Sequence, residues 1–248
     1  IILNIIPRSI LTRLSFLLKP LIKIYLRGNK YVDPIDGSSF RKFLPYGYNN
    51  VRENALSPST FSLERHRLLW LYLKNETDFF NKNLKVLHFA PEAAFLEKFK
   101  KLKNISYDTI DLSSPLANIK ADICDLPLDD ESYDFILCNH VLEHVIDDKK
   151  AMQELYRVLK KDGIGIFQVP INISNKKTYE DFTITDHKER NKAFGQYDHV
   201  RIYGMDFFDR LEEAGFMVEK CEYTSKFTSE EIIKYCLPNR EIIPICRK

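Results

Sequence analysis

The stretch VLHFAPEAAF, Val86 to Phe95, places an apolar run directly before a tight turn and the start of a helix. This strand–turn–helix order is typical of the loop with which α/β proteins bind a phosphate or a nucleoside. Such loops use glycine where the backbone must approach the ligand closely, but VLHFAPEAAF contains no glycine. The stretch therefore predicts a nucleoside-binding loop in which Ala90 is the smallest substitute and Pro91 begins a helix.

Strands and helices alternate on the C-terminal side of this loop. An amphipathic helix is predicted over KKAMQELYRVLK, and it ends at KKDG before a strand over IGIFQVP. The chain then predicts a helix over MDFFDRLEEAG, a strand over FMVEKCEY and a last strand over EIIPICRK, where Pro244 favours an edge position. This rhythm predicts an α/β fold, a parallel sheet with helices on both faces.

Polar groups or a sharp turn follow four of the predicted strands, at the Phe89–Glu92 turn, Asp111, Asp122 and Asn139–His140. Ligands of such sheets bind outside the carboxyl ends of the strands. Asp111 lies 23 residues after His88, the separation at which an acidic residue meets a ribose diol in a nucleoside-binding unit. Either aspartate alone could instead be a helix cap or close a strand-end turn.

The stretch SYDFILCNHVLEHVIDDKKAMQELYRVLKKDGIGIFQVP, residues 132–170, resembles the class I S-adenosylmethionine-dependent methyltransferases, in the small-molecule subgroup whose fourth strand runs into NHVLEH. The resemblance covers residues from about 62 to 248 and implies a Rossmann-like, seven-stranded, mostly parallel sheet with an antiparallel last strand. It also implies S-adenosylmethionine as the cofactor. The chain departs from most relatives in the first motif. Ala90, Pro91 and Glu92 stand where relatives have glycines, and His88 stands where they have an acidic residue. This HFAPE variant resembles one branch of the superfamily.

By position, the resemblance assigns Asp111 to the ribose, Asp122 with Ile123 to the adenine, and Asn139 with His140 to the border of the methyl donor. Glu92 is a candidate partner of the cofactor's ammonium group, and the helix N-terminus can face its carboxylate. The full set of expected cofactor-binding residues is His88, Phe89, Ala90, Pro91, Glu92, Asp111, Leu112, Asp122, Ile123, Asn139 and His140.

Acceptor contacts are expected in the long loop after the fifth strand, which contains KAFGQYDHVRIYG. His199 is the first candidate for a base and His140 the second, because histidine titrates near neutral pH. Tyr203 completes the expected catalytic set, and Tyr197, Arg201 and His144 are expected to bind the acceptor. The alternative is that DHVRIYG is a structural lead-in whose His and Arg cap the next helix. No metal ligands are predicted.

The basic residues of the N-terminal segment stand apart from an otherwise balanced composition. The 248 residues carry a formal charge of +2, which argues against a nucleic-acid partner. Residues 1–30 hold six Lys or Arg and no Asp or Glu. They predict a basic amphipathic helical arm that packs on the body or on a second subunit of a homodimer, with peripheral membrane contact through residues 1–28 as the alternative. Five cysteines without a CxxC pair indicate reduced thiols and a cytoplasmic location.

Residues 31–61 predict a small turn-rich module, and residues 62–248 the methyltransferase domain. The module resembles a zinc ribbon around FLPYG in which Asp33, Asp36, Ser57 and Thr60 stand in place of the cysteines. Because structural zinc sites need thiolates or imidazoles, the sequence predicts turns held by Asp and Ser hydrogen bonds instead of a metal.

The sequence thus predicts an enzyme that moves a methyl group from S-adenosylmethionine to a small-molecule or glycan-type acceptor, at oxygen. The alternative is a non-catalytic binding module with the same fold that docks at a membrane surface through the basic arm. An NAD-dependent oxidoreductase is disfavoured, because no GxGxxG follows any predicted strand.

Overall fold

Two compact units make up the chain in the computed structural model, which describes residues 18–47 and 51–248. The first unit comprises the described residues up to Thr77 together with Tyr223–Glu241. The second comprises Asp78–Glu222 together with Ile242–Lys248. The helix Glu64–Glu76, which falls within the predicted methyltransferase domain of residues 62–248, belongs to the first unit.

The second unit is built on a seven-stranded sheet with the order β12-β13-β9-β8-β5-β6-β7. Strands β5, β6, β7, β8 and β9 run parallel, and β13 runs antiparallel to both of its neighbours. The predicted fold class, a Rossmann-like sheet with an antiparallel last strand, is confirmed. The strands are β5 Leu84–Phe89, β6 Ile105–Asp111, β7 Ile119–Lys120, β8 Tyr133–Cys138, β9 Leu159–Ile166, β12 Met217–Cys221 and β13 Ile243–Arg247.

The edge position expected for Pro244 is wrong, because β13 lies between β12 and β9. Pairing of β13 with β9 covers only Ile245, Cys246 and Arg247. Pro244 thus lies just beyond the residues paired with β9, so the N–H that proline lacks is not needed for a hydrogen bond to β9.

Two boundaries differ from the prediction. Strand β9 begins at Leu159, before KKDG and not after it. The KKDG segment forms an irregular extension of the strand, because Tyr133 pairs with Leu159 whereas Phe135, two residues further on, pairs with Ile164. The short strand β7 ends at Lys120, before Asp122.

Helices flank the sheet and bury their apolar faces against it. The helix Asp148–Val158 buries Ala151, Met152, Leu155 and Val158, and its N-cap Asp147 accepts a hydrogen bond from the Lys150 amide at 3.0 Å. These side chains join a core with residues of β5, β8 and the later helices. The other helices of this unit are Ala93–Phe99, His187–Phe194 and Phe207–Glu213, and a second small ladder pairs β10 Tyr179–Glu180 with β11 Arg201–Ile202.

The first unit contains two small antiparallel ladders and, besides the helix over residues 18–25, two further helices. Strand β1 Arg27–Val32 pairs with β2 Ser39–Phe40, and β3 Leu44–Tyr46 pairs with β4 Arg52–Leu56. The helices are Glu64–Glu76 and Ser229–Tyr235.

A buried carboxylate organises the predicted turn-rich module. Asp33 has no solvent exposure; its Oδ2 accepts hydrogen bonds from Thr60 Oγ1 at 2.5 Å and Ser62 Oγ at 3.2 Å. Its Oδ1 accepts from the Ile35 amide at 2.9 Å. The prediction of turns held by Asp and Ser hydrogen bonds is confirmed.

Residues 18–25 of the predicted arm are helical, and residues 1–17 lie outside the described residues. Leu21, Ile24 and Tyr25 expose most of their side-chain surface. Within residues 18–47 and 51–248, no helix combines the length and apolar character needed to cross a bilayer. Peripheral membrane contact stays a prediction.

We expect Asp33→Ala to lower the free energy of unfolding by about 2–4 kcal/mol, because buried hydroxyls and an amide would lose their charged acceptor. Asp36 is the matched control: it is exposed and its Oδ1 accepts from the Ser38 amide and from Ser59 Oγ. Asp36→Ala should cost about 1 kcal/mol or less. Urea denaturation followed by circular dichroism measures both, and equal losses would contradict the role of Asp33.

Candidate functional site

The candidate site lies at the carboxyl edge of the parallel strands. Strand β5 pairs in parallel with β6 on one side and β8 on the other, with Phe89 opposite Ile110 and Cys138. The chain continues from β5 to β6 and reaches β8 only later, so the strand order reverses between β5 and β8. In open α/β sheets, ligands bind in the crevice at this switch point.

The glycine-free loop adopts a backbone conformation that normally favours glycine. Ala90 has φ 43°, in the left-handed region, and its amide donates to the Ile110 carbonyl at 2.9 Å. Pro91 is buried and precedes Glu92, which is the N-cap of the helix Ala93–Phe99. The expectation that Pro91 occupies the first helical turn is wrong, because the helix begins two residues later.

Hydrogen bonds from Tyr107 to His88 and from His88 to Glu92 hold the Glu92 carboxylate in place. His88 has no solvent exposure; its Nδ1 lies 2.7 Å from the Tyr107 hydroxyl and its Nε2 2.5 Å from Glu92 Oε2. Burial raises the pKa of Tyr107 well above its ordinary value, so its hydroxyl keeps its proton and donates to Nδ1. The ring then donates its Nε2–H to Glu92. His88 therefore orients Glu92, a role that the sequence analysis did not foresee.

Asn139 connects the loop after β5 to the end of β9. Its Nδ2 donates to Glu92 Oε1 at 3.3 Å, and its Oδ1 accepts from the Gln168 amide at 3.3 Å. The next residue, His140, has φ 55°, and its amide donates to the Gln168 carbonyl at 2.7 Å. The structure thus brings together Glu92, Asn139 and His140, three of the predicted cofactor-binding residues.

The predicted ribose residue, Asp111, is the last residue of β6, and the predicted adenine residues lie just beyond the end of β7. Asp111 Oδ1 accepts hydrogen bonds from the amides of Ser113 and Ser114 at 2.8 and 2.6 Å, which closes the turn after the strand. Leu112 is 71 % exposed, an unusual position for a large apolar side chain.

Asp122 and Ile123, the residues expected at the adenine, differ in their exposure. Asp122 is exposed, and its Oδ1 accepts from the Cys124 amide at 2.8 Å. Ile123 and Phe89 are buried in the core of this unit.

Two of the histidines expected near the acceptor, His144 and His199, form a cluster with Glu143 next to His140. Glu143, His144 and His199 each offer one oxygen or nitrogen atom, and these atoms lie within 4.8 Å of one another. His140 Nδ1 lies 3.2 Å from Glu143 Oε1, and the rings of His144 and His199 meet edge to face with centroids 4.7 Å apart. Burial lowers the pKa of His199, which leaves its imidazole neutral at neutral pH.

Arg201 and Tyr203 lie beneath this cluster rather than in it. Arg201 is 1 % exposed and donates to the carbonyls of Leu142 at 3.0 Å, Val145, and Ile146 at 2.8 Å. Burial and the Asp148 carboxylate raise the pKa of Tyr203 well above its ordinary value, and its hydroxyl donates to Asp148 Oδ2 at 2.7 Å. Both side chains therefore have structural partners, and they hold the turn that carries Glu143 and His144. These contacts agree better with the structural alternative for DHVRIYG than with an acceptor or catalytic role. The difference from that alternative is that Arg201 caps the turn over residues 142–146 instead of the next helix.

Tyr197 is 46 % exposed and contacts the ring of His187, with centroids 5.5 Å apart. The residues of the site for which the sequence predicts no role are Glu143 and the partners Tyr107 and Asp148. The spacing of His140, Glu143 and His144 on a short turn was the available signal for Glu143, because residues three and four apart share one face of a helical turn.

Residues 76–167 match the family described as "Methyltransferase domain". This segment is similar to methyltransferase domains and contains β5 to β9, the glycine-free loop and the Asn139–His144 turn. The match agrees with the predicted S-adenosylmethionine-dependent methyltransferase over this part of the chain.

Two curated relatives match part of this chain. An uncharacterized protein of Methanocaldococcus jannaschii is 31 % identical over 100 residues, 40 % of this chain and 46 % of that protein. The demethylmenaquinone methyltransferase of Chlamydia caviae is 33 % identical over 67 residues, 27 % of this chain and 29 % of that protein. The matched stretch thus spans less than half the length of each relative.

Among solved structures, a Burkholderia thailandensis 1,6-didemethyltoxoflavin-N1-methyltransferase with bound S-adenosylhomocysteine is similar to this chain. The TM-score is 0.49 at 12 % identity, and the match covers 75 % of this chain and 77 % of that one.

We expect Ala90→Gly to raise the free energy of unfolding by about 0.5–1 kcal/mol, because glycine adopts φ 43° without the steric penalty of a Cβ. Ala94→Gly, in the adjacent helix, is the control and should lower it by about 1 kcal/mol. Urea denaturation of both variants measures the difference. A loss of stability in Ala90→Gly would show that the loop does not strain this residue.

Proposed function

We propose that the protein transfers a methyl group from S-adenosylmethionine to a hydroxyl of a small-molecule or glycan-type acceptor. One observation carries the proposal: polar contacts on both sides of the neighbouring residues Asn139 and His140 connect the loop at the switch point with the histidine cluster. Glu92 contacts Asn139, the following His140 contacts Glu143, and Glu143 lies beside His144 and His199. A cofactor held at one end would thus have polar side chains available for an acceptor at the other.

The residues at the sheet edge fit this cofactor. Asp111 uses Oδ1 for its own turn, and no hydrogen bond to its Oδ2 is present among the described residues, so a second acceptor oxygen remains for ribose hydroxyls. The exposed apolar side chain of Leu112 suits the face of an adenine, and Asp122 its exocyclic amine. Glu92, oriented by His88, would hold the ammonium group, and the loop at Ala90 and Pro91 would border the amino-acid part.

S-adenosylmethionine supplies a methyl group that is already activated on a sulfonium. The protein has to align the acceptor and to exclude competing water, and alignment supplies much of the rate. A hydroxyl must also lose its proton, which favours a neutral imidazole nearby. The lowered pKa of His199 leaves such an imidazole. His199 is therefore the proposed catalytic residue, His140 borders the methyl donor, and His144 with the exposed Tyr197 would contact the acceptor.

Direct calorimetric titration with S-adenosylmethionine and S-adenosylhomocysteine tests the cofactor. We expect the wild-type protein to bind both nucleosides and Asp111→Asn to lose about tenfold or more in affinity, because one charge-assisted hydrogen-bond acceptor is removed. The asparagine keeps an Oδ1 acceptor for the turn amides, so the loss reports the charge rather than the turn. Absence of heat with both nucleosides for the wild-type protein would overturn the proposed activity.

Transfer of labelled methyl groups to a panel of hydroxyl-bearing glycans and small molecules tests the acceptor class. For an acceptor that the wild-type protein methylates, we expect His199→Gln to lower kcat by about 100-fold or more, as loss of a base does. The same variant should bind S-adenosylmethionine as the wild type does, since His199 lies outside the proposed cofactor residues. Unchanged turnover in His199→Gln would remove this residue from the mechanism, and labelling of amines alone would exclude oxygen as the acceptor atom.

A further inference from the structure

The cluster next to His140 has the composition of a transition-metal site. Glu143, His144 and His199 offer one carboxylate and two imidazoles, with their ligand atoms within 4.8 Å of one another. Two imidazoles with one carboxylate suit zinc and its first-row neighbours, whereas calcium and magnesium prefer sites made of oxygen atoms. Three protein ligands leave a further coordination position open.

The buried carboxylate of Glu143 lacks a partner for one of its oxygens. Glu143 is 2 % exposed, and its Oε2 has no hydrogen-bond partner among the described residues. Its other oxygen, Oε1, lies 3.2 Å from His140 Nδ1. A buried carboxylate oxygen without a partner is costly, and such an atom in a native structure calls for an explanation. A cation between Glu143 and the two imidazoles would supply the missing partner.

The His144 imidazole is held by a backbone carbonyl in the manner of a metal ligand. Its Nδ1 lies 3.2 Å from the Asp198 carbonyl oxygen. A ring that donates one N–H to a carbonyl presents the lone pair of its other nitrogen, and metal-bound histidines commonly have this arrangement.

Backbone contacts bring the two halves of the cluster together. The Val200 amide donates to the Glu143 carbonyl at 3.0 Å, and Arg201 holds the carbonyls on either side of Glu143 and His144. Metal sites need ligands positioned by such supporting contacts.

We propose that Glu143, His144 and His199 bind one divalent cation of the zinc type, with a coordination position left open. Zinc bonds of about 2.1 Å place tetrahedral ligands about 3.4 Å apart, so small side-chain rotations would close the cluster on the ion. His140 would act as the positioning residue that anchors Glu143. The sequence predicts no metal, because His199 lies near Glu143 only in the tertiary structure.

The binding inference is independent of the proposed methyl transfer. If the protein also transfers methyl groups, the cation would bind the lone pair of His199. An acceptor hydroxyl bound at the open coordination position would then have its pKa lowered by the cation. His199 would then act on the acceptor through the cation instead of taking its proton directly.

Calorimetric titration of the full chain, treated with a chelator and dialysed, tests the site with zinc chloride and, separately, with magnesium chloride. We expect one zinc ion per chain and much weaker binding of magnesium. His199→Asn and Glu143→Gln should each weaken zinc binding by about 100-fold or more, because one of three ligands is lost. His187→Ala, an exposed histidine outside the cluster, is the control and should bind zinc as the wild type does.

Cobalt(II) substitution adds a readout of the ligand types. Nitrogen and oxygen ligands give visible d–d bands without the intense near-ultraviolet thiolate band that a site on the free cysteines would give. Circular dichroism and thermal melting confirm that each variant folds. Absence of a stoichiometric zinc site in the wild type, zinc binding unchanged in both His199→Asn and Glu143→Gln, or a thiolate band would overturn the proposal.

Discussion

The guanidinium of Arg201 donates hydrogen bonds to the carbonyls of Leu142, Val145 and Ile146 and to the Glu180 carboxylate. A buried cation of this kind is tolerated because all of these acceptors face it, and the neighbouring Asp148 adds opposite charge. The carbonyls lie on the turn that follows β8, and Arg201 itself lies on the strand that follows His199. One side chain therefore holds Glu143 and His144 beside His199, and the proposed acceptor side of the site depends on it.

The cofactor side depends on a different constraint, the reversal of strand order between β5 and β8. Parallel strands deliver their carboxyl ends to one edge of the sheet, and the reversal leaves room there for a ligand. The loop after β5 meets this edge without glycine because Ala90 takes the left-handed conformation itself. The buried His88, hydrogen-bonded to the half-buried Tyr107, then fixes the Glu92 carboxylate at the helix N-terminus.

Asn139 and His140 join these two sides. Asn139 contacts Glu92 in one direction, and His140 contacts Glu143 in the other. A methyl donor and a hydroxyl acceptor need such adjacency, since transfer from a sulfonium requires close alignment more than chemical activation. The same adjacency would bring a cation bound at Glu143, His144 and His199 within reach of an acceptor.

The sequence by itself determined the alternation of strands and helices, the parallel sheet, and the polar residues at its carboxyl edge. These features are local, because hydrophobic periodicity and strand-end position can be recognised from neighbouring residues. It did not determine that Pro244 lies in an interior strand, since strand order depends on pairing between distant segments. Nor could it tell that Arg201 and Tyr203 are buried beneath the site while His199 faces Glu143. Those roles depend on contacts across more than 50 residues of chain, and only the tertiary fold decides which side chains of DHVRIYG point to the core and which to the site.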